Sequence, residues 1–175
     1  MKITELSLPG VKLIEPKIFS DHRGHFLETW NASRYAEIGI GPFVQDNLSR
    51  SVRGTVRGLH LQNDPNAQGK LVHCVAGAVW DVVAEVRKGH PNFGKWLGVE
   101  LTADNRRQLW VPRGYAHGFA VLSDVADFAY KVDAPYSPKD EVTVRWDDPA
   151  LKIDWKIDPR TVLLAPRDAS APFLG

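Results

Sequence analysis

From residue 70 onward the chain is a succession of short apolar or alternating runs, at 71–75, 78–87, 96–101, 107–112, 117–122, 127–133 and 141–146, separated by turn signals. Runs of this length with a period near two are half-buried strands, and so many in series predict an all-β protein. An open sheet of this many strands would expose long hydrogen-bonding edges. Closure into two facing sheets removes most of them, so the expected architecture is a double-sheet jelly roll. Only Asn31 to Gly39 has a helical pattern, with Asn31 as N-cap and Gly39 as the stop. Pro and Gly are dispersed, no repeat or linker is visible, and 175 residues suit one domain spanning 1–175.

Composition narrows the function classes. Lys plus Arg number 22 against 21 Asp plus Glu, a net charge of +1, which leaves no basic excess for nucleic acid. Any anion site must be local. The single Cys74 excludes an internal disulfide and a multi-Cys zinc site, and its apolar strand 71–75 makes it a core residue. Residues 1–10 carry no long apolar segment and no window reaches the length of a membrane span, so a cytoplasmic protein with no membrane partner is expected.

Chemistry concentrates around Arg57-Gly58-Leu59-His60-Leu61-Gln62. A His on a strand is either a packed residue or a base, and the hexapeptide alone does not decide. A second His follows in Gly114-Tyr115-Ala116-His117-Gly118-Phe119, with Lys70, Tyr130 and, in a C-terminal stretch short of structure, Asp168. Read blandly, Lys70 is a solvated strand end, Tyr130 a core aromatic and Asp168 a loop acid. Alternation over 78–87 puts Asp81, Val83, Glu85 and Arg87 on one face and Val79, Val82, Ala84 and Val86 mainly on the other, with Trp80 at a twist or edge. The acidic face is either solvated or turned inward for a purpose.

These blocks, together with Asp21-His22-Arg23-Gly24-His25-Phe26-Leu27-Glu28 and Gln45-Asp46-Asn47-Leu48-Ser49, resemble the dTDP-4-dehydrorhamnose 3,5-epimerase family from about residue 10 to 172. The resemblance implies the cupin form of the jelly roll and a nucleoside-diphospho 4-keto-6-deoxyhexose as substrate. It implies His60 as base, Asp168 as its orienter and Tyr130 as the acid on the opposite face. Lys70 and His117 are then candidates to stabilise the enolate. Arg23 and Arg57 serve the diphosphate, since guanidinium makes bidentate contacts to phosphate oxygens. The resemblance further implies Glu28 on the nucleotide, Gln45 and Asn47 beside it, Tyr136 stacked on the base and Glu141 among the sugar-nucleotide contacts. Arg23 would come from the second subunit of a homodimer with shared active sites.

The chain departs from the family at several points. Arg167 stands where Lys is common, keeping charge but not geometry; Glu85 replaces an Asp and could reposition His117; Lys156 replaces Pro; and Ala165 replaces Ser. Cupins often hold a metal. The pattern Pro112-x-Gly114-x-x-His117 is present, but the partner pattern His-x-His followed by Glu reads His60-Leu61-Gln62 with Asn63 and Asp64 after it, so the ligand set is incomplete. No metal and no cofactor is expected. The leading expectation is a metal-independent epimerase acting at C3 and C5. The alternatives are a single-centre relative and a non-catalytic sugar-nucleotide-binding cupin.

Overall fold

The computed structural model describes residues 1–175. In chain order the elements are β1 (Lys2–Glu5), β2 (Lys12–Glu15), β3 (Ile18–Asp21), β4 (Gly24–Leu27), α1 (Ala32–Ala36), β5 (Gln45–Val52), β6 (Val56–Gln62) and β7 (Lys70–Ala76). There follow β8 (Ala78–Ala84), β9 (Trp96–Thr102), β10 (Gln108–Val111), β11 (Ala116–Val121), β12 (Val125–Val132), β13 (Glu141–Thr143), a 3-10 turn at Pro159–Thr161 and α2 (Pro166–Ala169). Every strand expected after residue 70 forms. The hexapeptide 57–62 lies on β6, as its strand-forming residues implied; β1 to β5 and α2 are additions to the sequence reading, and β1 to β4, with four residues each, fall below the length at which periodicity registers.

Two antiparallel sheets face each other as the expected jelly roll. One has strand order β1-β2-β10-β7-β12-β5 and the other β13-β6-β11-β8-β9. Between them lies a core containing Val72, Cys74, Val79, Val83, Phe119 and Phe128, with Phe119 stacked on Phe128 at 4.2 Å between ring centres. Cys74 is 3% exposed, as its apolar strand required. A second cluster, with Leu59, Leu61, Val82, Ala84, Leu151 and Trp155, packs the C-terminal segment on the outer face of the second sheet. A third packs α1, through Tyr35, on Ile14, Leu71 and Trp110 of the first sheet. Each fully buried large apolar side chain here stabilises by about 1.5–3 kcal/mol. Asn31 caps α1 by accepting from the Arg34 N–H, and Gly39 beyond it has φ +76°, a backbone region that favours glycine.

The faces of β8 correct one sequence expectation. Val79 lies with Asp81 and Val83 in the inter-sheet core, and Trp80 packs with Val82 and Ala84 on the outer side. Strict alternation, without a twist at Trp80, accounts for both. Asp81 and Glu85 are fully buried, so the acidic face is not solvated. The strand stops at Ala84, however, and Glu85 turns to Arg87 and His90 instead of continuing the inner row.

The hairpin β3–β4 pairs only with itself. Ile18, Phe19 and Phe26 are exposed on it, Phe26 by 68%. Strand β5 forms one edge of the first sheet, and Leu48 and Val52 on it, with Val125 on β12 and Val75 on β7, are exposed on the same sheet.

Candidate active site

Strands β5, β6, β7, β11 and β12 line the mouth of the barrel around a cavity of about 390 Å³. Strand alternation aims most of its polar residues. On β5 the odd positions Gln45, Asn47 and Ser49 turn inward, while Asp46, Leu48 and Arg50 turn out. Tyr130 on β12 sits opposite Asn47 in register and points the same way. Strand β6 breaks the alternation, since Arg57 and His60, three apart, both reach the cavity. A register shift against β11 between His117 and Phe119 permits this, and the two backbones approach closely there. A Cβ on Gly58 would lie 2.6 Å from the Gly118 Cα, and Gly58 has φ +132°.

His60 Nε2 lies 2.7 Å from Asp168 Oδ1. Asp168 is 2% exposed, held by α2 against β6, and its Oδ2 accepts from the Gly58 N–H at 3.4 Å. Burial raises its pKa and favours the neutral form, but the hydrogen bonds from His60 and Gly58 and the charge of Arg167 outweigh burial and hold the carboxyl below the usual range. An ionised Asp168 fixes the tautomer: Nε2–H donates to it, and Nδ1 keeps the lone pair that accepts a proton.

His117 is the cross-strand partner of His60 and has its own carboxylate. Its Nε2 is 3.0 Å from both oxygens of Asp81. Asp81 is pushed up by burial, against the opposing pull of His117 and Lys70. Asp81 was recognised in the sequence only as part of an acidic face. Glu85, contrary to expectation, is not beside His117 but is bound by Arg87 at 2.5 Å, so its departure from the family leaves the cavity untouched. A single carboxylate at an inward position of an otherwise apolar strand was the available signal.

Lys70 is half-buried, and its Nζ donates to the His60 carbonyl at 3.3 Å. Burial lowers its pKa to about 8, offset in part by the charges of Glu141 and Asp81. It is not a solvated strand end. Tyr130 combines both readings of the sequence, packing against Phe128 while lining the cavity. Burial raises its pKa, with Arg57 acting in the opposite sense, so the phenol keeps its proton at neutral pH.

The rim carries the remaining groups. Arg167 donates to Glu141 Oε2 at 2.5 Å and lies 3.7 Å from Asp168 Oδ1. The Tyr136 hydroxyl donates to the same Glu141 oxygen at 2.8 Å. Arg57 is anchored through Nε to Ser51 Oγ at 3.0 Å. Of the expected site residues, only Arg23 and Glu28 lie away from this cavity. Arg23 sits in the turn of the β3–β4 hairpin bound to Asp21, and Glu28, just past β4, binds Arg34. Ser49, Gln62, Gln68 and Phe119 line the cavity without having been singled out as site residues.

The cupin metal does not fit these residues. No three His, Cys, Asp or Glu side chains converge as ligands, and both cavity histidines are committed through Nε2 to separate carboxylates. What converges instead is a histidine with a free lone pair, a protonated phenol and a cation, a set suited to moving a proton at a carbon next to a carbonyl.

A model of the dTDP-4-dehydrorhamnose 3,5-epimerase family matches residues 5–175. The dTDP-4-dehydrorhamnose 3,5-epimerase of Salmonella typhimurium is 47% identical over 177 residues, covering 99% of this chain and 96% of that protein. The enzyme of the same name from Pseudomonas aeruginosa is 48% identical, covering 93% and 91%. The solved structure of a dTDP-6-deoxy-D-glucose-3,5-epimerase from Legionella pneumophila Philadelphia 1, in complex with dTDP-4-keto-L-rhamnose, superposes with a TM-score of 0.94 at 49% identity, over 99% of this chain and 92% of that one.

Proposed function

The chain belongs to the dTDP-4-dehydrorhamnose 3,5-epimerase family, and from that premise we propose that it inverts C3 and C5 of dTDP-4-dehydro-6-deoxy-D-glucose to give dTDP-4-dehydro-L-rhamnose. The observation that carries this reading is the His60–Asp168 pair opening on the same cavity as Tyr130 and Lys70.

The 4-ketone of the substrate acidifies the hydrogens on both neighbouring carbons. His60 Nδ1 takes the proton as the C–H bond breaks, and Asp168 stabilises the imidazolium. The electron pair moves into an enolate whose oxygen faces Lys70 and His117, in a site where charge stabilisation is strong because water is scarce. Tyr130 returns a proton to the opposite face, which inverts the centre, and is itself reprotonated from solvent. No electrons are gained or lost. Arg57 and Arg23 meet the diphosphate, with Arg167 as a further cation at the rim; Gln45, Asn47 and Glu141 contact the nucleotide, and Tyr136 stacks on its base.

The protein works as a cytoplasmic homodimer of one-domain subunits. The free edge of β5, the exposed Leu48 and Val75, and the unpaired apolar hairpin β3–β4 support a second copy on this side of the sheet. That hairpin carries Arg23 and Glu28 to the partner's cavity.

The test is incubation with several 4-keto nucleotide sugars in D₂O, following deuterium at C3 and C5 by NMR. Incorporation with inversion at both centres of the dTDP sugar is expected. A single labelled centre would make the protein a one-centre epimerase, and binding without exchange would make it a binding cupin.

A further inference from the structure

The motif 57–62 gives Arg57 and His60 to the chemistry above and leaves Gln62 without a part. Its side chain is buried, 4% exposed, yet every polar atom is used. Nε2 donates to the carbonyls of Asn66 at 2.6 Å and Pro135 at 3.2 Å, and Oε1 accepts from the Ser137 N–H at 2.9 Å. Pro135 and Ser137 flank Tyr136 on either side. The Tyr136 N–H donates to Gln45 at 3.2 Å. The loop between β12 and β13 has no ladder of its own at Tyr136, and the ring is 52% exposed.

From these contacts we propose that Gln62 is a positioning residue for the nucleotide: it grips the backbone on both sides of Tyr136 and holds the ring ready at the cavity rim before the nucleotide arrives. A stacking aromatic adds full affinity only when it need not be ordered on binding. A carboxamide is the uncharged side chain that both donates twice and accepts at one buried point. Leucine at this position would take the partner from the Asn66 and Pro135 carbonyls and from the Ser137 N–H and so release the loop, and glutamate would keep the acceptor but face two carbonyl oxygens with no donor. The position is also the one where a His-x-His pattern would place its second imidazole. Here it is committed to the loop.

The inference rests on the nucleotide-sugar reading, and thymidine diphosphate separates the two. Calorimetry with thymidine diphosphate alone, and steady-state kinetics, are compared for wild type, Gln62→Leu, Tyr136→Ala and the double variant. Loss of these hydrogen bonds, and with them of the preset ring, predicts Kd and KM raised about tenfold or more in Gln62→Leu, with kcat within about threefold of wild type. In the Tyr136→Ala background the Leu substitution should add nothing to Kd, since the residue acts through that ring. Equal Kd for wild type and Gln62→Leu, an undiminished effect without Tyr136, or a fall in kcat at constant KM would each overturn the proposal. A wild type that does not bind thymidine diphosphate would overturn the nucleotide reading itself. If Gln62→Leu does not fold, Gln62→Glu, which retains the acceptor for Ser137, serves in the same cycle with the same expected outcomes.

Discussion

Two imidazoles stand on neighbouring strands, and what divides their work is the carboxylate behind each. Asp168 is held ionised by hydrogen bonds and a nearby cation, so His60 has a fixed tautomer and a stabilised imidazolium; Asp81 is driven toward the neutral form by burial. His60→Asn should therefore remove solvent exchange at both C3 and C5, a loss of about 10² to 10⁴ in rate or more, with thymidine diphosphate binding intact. Binding lost together with exchange would show the residue to be structural. Tyr130→Phe should separate the two readouts: deuterium still enters, because the base is present, while inversion slows, most at C5. Wild-type inversion in this variant would reduce Tyr130 to packing. Lys70 supplies the pH dependence. With its pKa near 8 the cation is present below that pH and lost above it, so kcat should fall as pH rises through about 8, and Lys70→Met should lack that limb. In the unfolded chain this lysine titrates near 10.4 and binds more protons than the folded one between the two values. Stability from this site therefore rises with pH across that window, and Lys70→Met should raise Tm at pH 7 more than at pH 11. At this scale the residues alone identified the histidines without pairing them, since each carboxylate comes from a distant segment; the family resemblance supplied Asp168 for His60, and Asp81 as the partner of His117 was not foreseen.

Elements decide which of these residues meet. Alternation alone would turn Arg57 and His60 to opposite sides of β6; the register shift against β11 turns both inward. That shift depends on two glycines in contact, Gly58 and Gly118. Gly58→Ala puts a methyl against backbone at 2.6 Å, at φ +132°, and neither can yield as a side-chain end would. The expected cost is at least about 2–3 kcal/mol, read as a lowered midpoint in denaturant, with catalysis falling further than stability because His60 moves. An unchanged midpoint would mean the strands separate at no cost. The strands after residue 70 were legible because each is a short apolar or alternating run bounded by turn signals, even where, as in β10 and β11, both faces are buried. The hairpin β3–β4 was not, because it buries neither face within this chain and has no core to impose a pattern. Helix α2 was hidden for another reason. Four residues are too few for a helical period, and its buried member is an acid, Asp168, whose partner lies 108 residues away.

At the scale of the whole molecule, Arg23 and Glu28 remain outside the cavity that contains every other expected site residue. They flank β4, on a hairpin whose apolar face is exposed, while the edge strand β5 that bears Gln45 and Asn47 has its outer hydrogen-bonding groups unpaired. The proposed homodimer with exchanged hairpins would satisfy both, and it would make each active site the product of two chains. The consequence is a complementation that a monomer cannot show. Arg23→Ala subunits keep an intact His60 but lend a defective hairpin; His60→Asn subunits lend a sound hairpin but hold a dead cavity. Each homodimer should be nearly inactive. Random reassociation in a 1:1 mixture makes about half the dimers mixed, each with one site built from sound parts, so activity should return to about a quarter of the wild-type level, as closed two-fold assembly requires. The rise should follow subunit exchange in time, and covalent crosslinking of each variant before mixing should prevent it. If unlinked mixtures stay at the sum of their parts while native mass spectrometry shows mixed dimers, Arg23 serves its own subunit or none, and the shared site is wrong.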